Sequence, residues 1–238
     1  MHLMTGRPTW SNAGIMIKYD TPSWLESAST GKGEELDEAR AYGHGHPLAL
    51  PRQTHSDHVA YVSSCCRPED TDAVFTDVPG LCLAVKTADC IPVLLYDRYM
   101  RKVAAIHAGW KGTVQRIVEK TIEKMGSTGS NLSAIIGPGI SLQSFEVGDE
   151  VYERFSAEGF PMTRIACHWP ESREGNCLQP GKWHIDLWDA NRWLLEQCGV
   201  EDIMIAGVDT MTSSLFYSAR RETIDTGRNY NWIEILDK

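Results

Sequence analysis

The chain has 238 residues and a formal net charge of −9 at neutral pH, with 42% hydrophobic and 23% charged residues. This balance is typical of a folded globular protein, and the acidic charge gives no general attraction to nucleic acid or to anionic membranes. Because there is no basic and apolar leader, no apolar run near the ~18 residues of a membrane span and no low-complexity linker, we expect a cytoplasmic protein with a single domain over residues 1–238.

Residues 1–47 give the weakest structural signals. The segment "AGIMIKY" predicts a strand, and "EELDEARAY" predicts a short helix. Two strand-like runs follow in "HGHPLALPRQTHSDHVAYVSS", and the polar residues 54–57 between them indicate a turn or a site.

The middle of the chain predicts successive buried strands. "DAVFTD", "GLCLAVKTAD", "IPVLLYDR" and "KVAAIHAG" are short, nearly continuous apolar runs separated by turn residues. The spacing then becomes helical and predicts one amphipathic helix that ends at Gly126. The residues of its apolar face are Val114, Ile117, Val118, Thr121, Ile122 and Met125.

The second half of the chain mixes strands and helices. "LSAIIGPG", "VEDIMIAGVD", "LFYSARR" and "YNWIEIL" predict strands, and "GDEVYERFSAEG" and "DLWDANRWLLEQCG" predict helices. Residues 161–183 are rich in Pro, Gly and Trp and predict a loop. Buried strands with peripheral helices indicate an α/β or α+β layered domain.

One cysteine and two histidines are candidates for chemistry. Cys90 and His107 each stand at the end of a predicted strand, and His55 lies in the polar turn of "QTHSDH". A thiolate and two imidazoles can bind zinc and leave a fourth position open for catalysis. Their spacing alone leaves core filling open as an alternative. The seven cysteines are an odd number and favour reduced thiols over a disulfide framework.

Several motifs, in this order along the chain, resemble the YfiH family. They are "RQTHSDHV", "VKTADCIPVLLYD", "VAAIHAGWKG", "IGPGISLQSFEVGDEV" and "FYSARRETIDTGR". The family is also called the multicopper polyphenol oxidoreductase or laccase-domain family, and it includes purine nucleoside phosphorylases and peptidoglycan editing factor proteins.

The resemblance implies an α+β fold in which two mixed β-sheets pack together with helices outside, in an α/β/β/α arrangement. It also implies zinc bound by His55, Cys90 and His107, with copper as the alternative metal. The implied activities are phosphorolysis of adenosine, inosine, guanosine and methylthioadenosine, together with adenosine deamination. The expected partners are a nucleoside and phosphate, and we expect a monomer or a small homo-oligomer.

The chain departs from the family pattern at three positions. The family's S-T-R-x-G-G-x-S loop is represented only by "TGRPTWSNAGI", in which Arg7 is a shifted counterpart. Asp209 and Thr210 stand where the family often has Cys-Thr. Lys111 stands where the family has the Arg of HAGWRG, so the positive charge is kept but the planar guanidinium is lost.

Other residues have both a functional and a structural interpretation. Asp89 is a candidate proton carrier, or else a turn carboxylate or a partner that holds a histidine. Arg220 and Arg221 are candidates for phosphate or ribose contact, or else for surface ion pairs. Gln53 and His58 flank the ligand histidine and are candidates for substrate contact.

Two smaller features also have alternative interpretations. Gly137 and Gly139 of "IGPGI" could present backbone N–H groups to an anion or could only form a tight turn. A second metal site could form from Cys167, His168 and Cys177.

Three other functional classes remain open at this stage. A copper polyphenol oxidase would use the same Cys and His ligands, which are also a blue-copper set. A metal-free hydrolase acting on a cell-wall precursor amide would use Cys90 as nucleophile and His107 as base. A noncatalytic module would use zinc only for folding.

Overall fold

Two six-stranded mixed sheets form the body of the fold in the computed structural model, which describes residues 9–10, 16–33, 47–170, 172–174, 177–179 and 181–237. The strands, in chain order, are β1 Thr9–Trp10, β2 Met16–Lys18, β3 Leu25–Thr30, β4 Leu48–Ala49, β5 Val59–Tyr61, β6 Ala73–Thr76, β7 Cys82–Thr87, β8 Ile91–Asp97, β9 Val103–Ala108, β10 Leu132–Ile136, β11 Glu146–Val147, β12 Ala166–Trp169, β13 Ser172–Glu174, β14 Cys177–Gln179, β15 Lys182–Ile185, β16 Asp202–Ile205 and β17 Asn229–Ile235.

Each large sheet contains both parallel and antiparallel pairs. Sheet A has the order β1-β2-β3-β17-β7-β4, in which only the β4–β7 pair is parallel. Sheet B has the order β16-β10-β8-β9-β6-β5, in which the two edge strands β16 and β5 are parallel to their neighbours. The predicted pair of mixed sheets is therefore confirmed.

The core between the sheets follows from the two-residue periodicity of the strands. In β7, Leu83 and Val85 contact a cluster that includes Leu94 and Tyr96 of β8 in sheet B. The alternate residues Cys82 and Ala84 belong to a separate cluster on the other face of sheet A. Strand β7 is consequently apolar on both faces, which explains its continuous apolar run.

The described helices pack on the outer face of sheet B. They are α1 Trp110–Val114, α2 Ile117–Met125, α3 Asp149–Ala157, α4 Met162–Ile165 and α5 Leu187–Gln197. Their buried side chains form one cluster with β6, β8, β9 and β10. Among the described residues, no helix is both long enough and apolar enough to cross a membrane. The α+β class is confirmed, while the helix predicted in "EELDEARAY" lies outside the described residues.

The single helix predicted after His107 is two helices. Arg116, between α1 and α2, has φ 62°, the left-handed conformation, and so ends the first helix. Its guanidinium donates to Glu119 and to the carbonyl of Glu158, and it lies over the rings of Phe160 and Trp193. These contacts stabilise a break that apolar spacing alone does not reveal.

Residues 161–183 are not the loop that the sequence predicts. They include α4 and β12, and β12 pairs with β15 in a three-stranded sheet of order β11-β15-β12. Aromatic stacking stabilises this sheet: Trp169 lies 3.9 Å from His184 and Tyr152 lies 3.8 Å from Trp183, measured between ring centroids. The tryptophans that suggested a loop are therefore packing residues.

The strand predicted in "LFYSARR" is also wrong, because this segment consists of turns. The Arg221 guanidinium donates hydrogen bonds to four backbone carbonyls of the preceding turns, those of Thr210, Met211, Ser213 and Phe216. In a strand these carbonyls would accept hydrogen bonds from a neighbouring strand. Here the Arg221 guanidinium supplies the donors instead.

Candidate metal centre

The register of two adjacent strands brings Cys90 and His107 together. The chain leaves sheet A at the end of β7, crosses residues 88–90 and enters sheet B as β8. Strand β8 pairs with β9 so that Ile91 lies opposite Ala108 and Pro92 opposite His107. Cys90, the residue before β8, therefore lies at the same end of the hairpin as His107.

The third candidate ligand, His55, lies in a loop whose backbone is hydrogen-bonded to a buried carboxylate. Asp72 Oδ1 is 3.1 Å from the backbone N of His55 and 2.7 Å from Nδ1 of His107. Asp72 Oδ2 accepts hydrogen bonds from the backbone N–H groups of Thr54 and Ser56 and from the Ser56 hydroxyl. His55 itself has φ 63°, in the left-handed region.

The three donor atoms have the separations of a metal site. One ligand atom from each of His55, Cys90 and His107 lies within 4.8 Å of the others. His55 Nε2 lies 3.7 Å from Cys90 Sγ. Tetrahedral zinc, with bonds of about 2.3 Å to sulfur and about 2.0–2.1 Å to nitrogen, requires a sulfur–nitrogen separation of about 3.6 Å. The residues present therefore fit zinc.

Gly109 leaves room for these ligands. A Cβ atom at this position would lie 3.0 Å from Cys90 Sγ and 3.0 Å from His55 Cδ2. A larger residue would therefore require Cys90 or His55 to move by a few tenths of an ångström. This contact gives a physical reason for the glycine in "HAGW".

Without a metal, Cys90 and His107 form a thiolate–imidazolium pair, and His107 must release its Nε2 proton before it can bind a metal. Burial favours the neutral thiol, but the adjacent His107 charge and hydrogen bonds from His107 and His55 outweigh it and lower the pKa of Cys90 to about 6. Burial favours the neutral imidazole, yet Cys90 and Asp72 raise the pKa of His107 to about 9. Burial opposes ionisation of Asp72, but bonds from His107 and Ser56 hold the pKa of its carboxyl well below its usual range. The site thus supplies a thiolate ligand near neutral pH.

The same side chains could also act without a metal. His107 lies between the Cys90 thiol and the Asp72 carboxylate, which is the order of a nucleophile, a base and an orienting group. This arrangement keeps the metal-free hydrolase as an alternative, although the ligand separations described above fit a metal.

The cluster opens into a cavity of about 360 Å³. His55, Cys90 and His107 line it, and its other lining residues are Leu50, Pro51, Arg52, Gln53, Arg67, Lys86, Ala88, Ala219, Ile224 and Arg228. Four of these side chains are cationic and none is a carboxylate. Walls of one charge sign concentrate ligands of the opposite sign, so the cavity suits an anion beside a small apolar group.

Gln53 lines the cavity as predicted, but its amide group is already bonded to the backbone. Its Nε2 donates to the carbonyl of Lys86, and its Oε1 accepts from the N–H of Lys86, both at 2.8 Å. Gln53 therefore attaches the His55 loop to β7.

The contacts of Asp89 favour its interpretation as a turn carboxylate. Asp89 is buried and has φ 91°. Its two carboxylate oxygens accept hydrogen bonds from the Thr210 hydroxyl at 2.6 Å and from the backbone N–H of Arg220 at 2.7 Å. The carboxylate that holds a histidine is Asp72, which the sequence did not single out.

Arg220 and Arg221 do not line the cavity. The Arg220 guanidinium donates to the backbone carbonyl of Glu146 and lies over the ring of Phe145. The Arg221 guanidinium is bonded to carbonyls of the turns before it, as described above, and to Glu222. The structure thus favours a structural role for both arginines, in which each guanidinium binds backbone carbonyls, over phosphate contact or surface ion pairing alone.

The remaining candidates lie apart from the cluster or outside the described residues. His58 pairs with Asp70, with 3.0 Å between Nδ1 and the carboxylate. A Cβ on Gly139 would meet Ile91 at 2.4 Å, so close packing accounts for this glycine. Of the possible second metal site, His168 packs edge-to-face on Trp183, and the side chain of Cys177 is outside the described part of the chain. Arg7 is also outside the described part of the chain.

The cavity cations were missed because they come from four separate segments. Arg52 and Lys86 stand beside the metal ligands in "RQTH" and "KTADC", and this proximity in sequence was the available signal. Arg228 ends the motif "FYSARRETIDTGR", whereas Arg67 lies outside the quoted motifs and only the fold brings it to the cavity.

Comparison with known proteins supports this picture. The profile of the family described as multi-copper polyphenol oxidoreductase laccase matches residues 33–236. A Bacteroides thetaiotaomicron protein named purine nucleoside phosphorylase is 42% identical over 205 residues, which cover 79% of this chain and 73% of that protein. A protein named adenosine deaminase RL5, from an unknown prokaryotic organism, is 38% identical over 202 residues, covering 78% and 74% respectively. A crystal structure of a Neisseria meningitidis protein superimposes with a TM-score of 0.76 at 27% identity, over 94% of this chain and 100% of that one.

Proposed function

Because this chain belongs to the multi-copper polyphenol oxidoreductase laccase family, whose YfiH members its motifs resemble, we propose that it is a zinc-dependent purine nucleoside phosphorylase. Adenosine, inosine, guanosine and methylthioadenosine are the proposed substrates, with phosphate as the second substrate. Relatives named purine nucleoside phosphorylase, at 30–42% identity, support this assignment.

One observation is the main support for the proposal: the three metal ligands and four cationic side chains line the same cavity. Phosphorolysis needs a phosphate anion held next to a nucleoside. Arginine and lysine are the usual protein groups for binding phosphate. The volume of about 360 Å³ lies within the range of about 300–1,000 Å³ for small-molecule sites.

The reaction breaks the bond between ribose C1′ and the purine nitrogen, and the bonding electron pair leaves with the purine, which takes up a proton. A phosphate oxygen forms the new bond to C1′, and the proton that hydrogen phosphate gives up accounts for the one that the purine gains. Lys86 would hold the phosphate, together with Arg52, whose exposed guanidinium pairs with Glu69 at 3.0 Å. Arg228 lines the same cavity, but its guanidinium already donates to the backbone carbonyls of residues 224, 226 and 227. The apolar wall at Leu50 and Ile224 would contact the base or the sugar. Zinc bound by His55, Cys90 and His107 would supply a Lewis acid and lower the pKa of a bound water to about 7.

Zinc is favoured over copper by the ligand set. Multicopper oxidation requires further His-rich sites, and the described residues contain one group of three or more potential ligands. Metal analysis of the purified protein, together with the visible spectrum, tests this choice. A strong thiolate-to-copper absorption band with bound copper would favour the oxidase.

The experiment that tests the proposed reaction uses the purified zinc-loaded protein. Each of the four nucleosides is incubated with and without inorganic phosphate, and the products are separated by chromatography. The expected result is free base and ribose 1-phosphate that form only when phosphate is present. Finding neither product from any of the four nucleosides would overturn the proposal.

Adenosine deamination is the second candidate activity. The relative named adenosine deaminase RL5 supports it. An activated water at the open metal position could attack the carbon that bears the amine, as in zinc deaminases. This activity predicts inosine from adenosine without phosphate, so the same chromatographic assay separates the two reactions.

A further inference from the structure

Asp72 connects two of the three metal ligands. Its side chain is fully buried, and its two oxygens accept five hydrogen bonds, from His107, the His55 loop and the Ser56 hydroxyl. We propose that Asp72 is the positioning residue of the metal centre, which fixes the tautomer of His107 and the conformation of the His55 loop.

The tautomer follows from the 2.7 Å contact between His107 Nδ1 and Asp72 Oδ1. An ionised carboxylate can only accept hydrogen bonds, so Nδ1 must bear the proton. The lone pair of the neutral imidazole is then on Nε2, the ring nitrogen that remains for the metal. Metal-ligating histidines commonly use a carboxylate in this way, and the carboxylate increases the basicity of the ligand.

The loop conformation depends on the same carboxylate. The consecutive backbone N–H groups of Thr54, His55 and Ser56 all donate to Asp72. Consecutive N–H groups that converge in this way form a concave anion site. The left-handed φ of His55 is unfavourable for a residue with a Cβ atom, and the bonds to Asp72 compensate for it.

Strand pairing sets the position of Asp72. The residue precedes β6, and Ala73 pairs with Ile106 of β9. The backbone N–H of His107 also donates to the backbone carbonyl of Asp72 at 2.7 Å. The carboxylate and the imidazole are therefore both buried and both attached to backbone segments that are hydrogen-bonded to each other.

The test is the variant Asp72→Asn. In this variant an NH₂ group replaces one of the two accepting oxygens of Asp72. If the NH₂ group faces the loop, N–H bonds from the loop are lost; if it faces His107, Nδ1 must become an acceptor and the other tautomer is favoured. Zinc affinity, measured by competition with a chromophoric chelator, should fall about 10–100-fold. The thiolate-to-cobalt absorption band of the cobalt-loaded protein should weaken in parallel.

Asp97→Asn is the matched control. Asp97 is also fully buried, and its Oδ1 accepts from the backbone N–H groups of Tyr99 and Met100 in the turn after β8. It contacts no metal ligand, so its replacement should lower stability without changing zinc affinity. Asp72→Asn with the zinc affinity of the wild type would overturn the proposal, as would an equal loss of affinity in Asp97→Asn.

A second measurement applies if Asp72→Asn does not fold. Nitrogen NMR of the zinc-loaded wild type should show the His107 proton on Nδ1, and a proton on Nε2 would overturn the proposal. The inference rests on the metal site of the proposed function. Zinc binding without nucleoside cleavage would overturn that function and leave this inference, whereas a wild type that binds neither zinc nor cobalt would overturn both.

Discussion

The side-chain amide of Gln53 forms two 2.8 Å hydrogen bonds with the backbone N–H and C=O of Lys86. Gln53 thereby continues, through its side chain, the parallel pairing of β4 with β7. This bond pair connects the loop that contains the candidate metal ligand His55 with the strand that contains Lys86 of the cavity lining. A residue predicted to bind substrate is therefore also a structural link within the site.

Gln53→Ala should lower stability and weaken substrate binding together. Two net hydrogen bonds correspond to about 1–3 kcal/mol in the free energy of unfolding. Urea denaturation measures that loss, and steady-state kinetics should show a higher KM for phosphate. Gln143→Ala, at an exposed glutamine, is the control and should change neither quantity. An unchanged stability of Gln53→Ala would contradict the structural role.

Removing a cavity cation should weaken phosphate binding specifically. Lys86→Met keeps the length of the side chain and loses its charge, and one charge-assisted bond corresponds to about a 10–100-fold rise in KM for phosphate. The zinc content should stay at the wild-type value. Lys182→Gln removes the same charge outside the cavity lining and should leave KM unchanged. Equal effects of the two variants would show that net charge, and not the cavity, attracts phosphate.

Gly109→Ala should disturb the metal ligands directly. The added Cβ would lie 3.0 Å from both Cys90 Sγ and His55 Cδ2, so at least one ligand must move and zinc affinity should fall. Gly126→Ala is the control: Gly126 has φ 65° and open space around it, so alanine costs about 1 kcal/mol of stability there without touching the site. Retention of full zinc affinity by Gly109→Ala would show that the cluster is looser than the structure indicates.

Arg221→Leu distinguishes bracing from substrate binding. The variant loses the hydrogen bonds to the four carbonyls in residues 210–216, so the free energy of unfolding should fall by on the order of 3 kcal/mol. The KM for phosphate of the remaining folded protein should stay near the wild-type value. A large rise in KM with unchanged stability would instead restore the sequence-based role of Arg221 in phosphate contact.

Sequence patterns predicted the strands β6 to β10 and the helices α3 and α5, because each has a continuous apolar run or a clear amphipathic face. They did not predict the break at Arg116 or the turns around Arg221, since single guanidinium groups stabilise these features through contacts remote in sequence. The β12–β15 pair was hidden because Pro and Gly indicated a loop, whereas cross-strand aromatic stacking determines its structure.

The candidate site was partly predictable for similar reasons. His55, Cys90 and His107 belong to distinctive motifs, and the structure brings them within ligand distance. Asp72 stands before an ordinary apolar strand, and its importance depends on the register between β6 and β9. The cations of the cavity likewise become a set only when strand β7, which contains Lys86, meets the segments that contain Arg52, Arg67 and Arg228.

The most direct test of a metal-dependent nucleoside site is a crystal structure of the zinc-loaded protein with nucleoside and phosphate, recorded at the zinc absorption edge. We expect an anomalous peak bonded to His55, Cys90 and His107, with the nucleoside and phosphate in the cavity beside Lys86. A peak elsewhere, or a nucleoside bound away from this cavity, would contradict the proposed function.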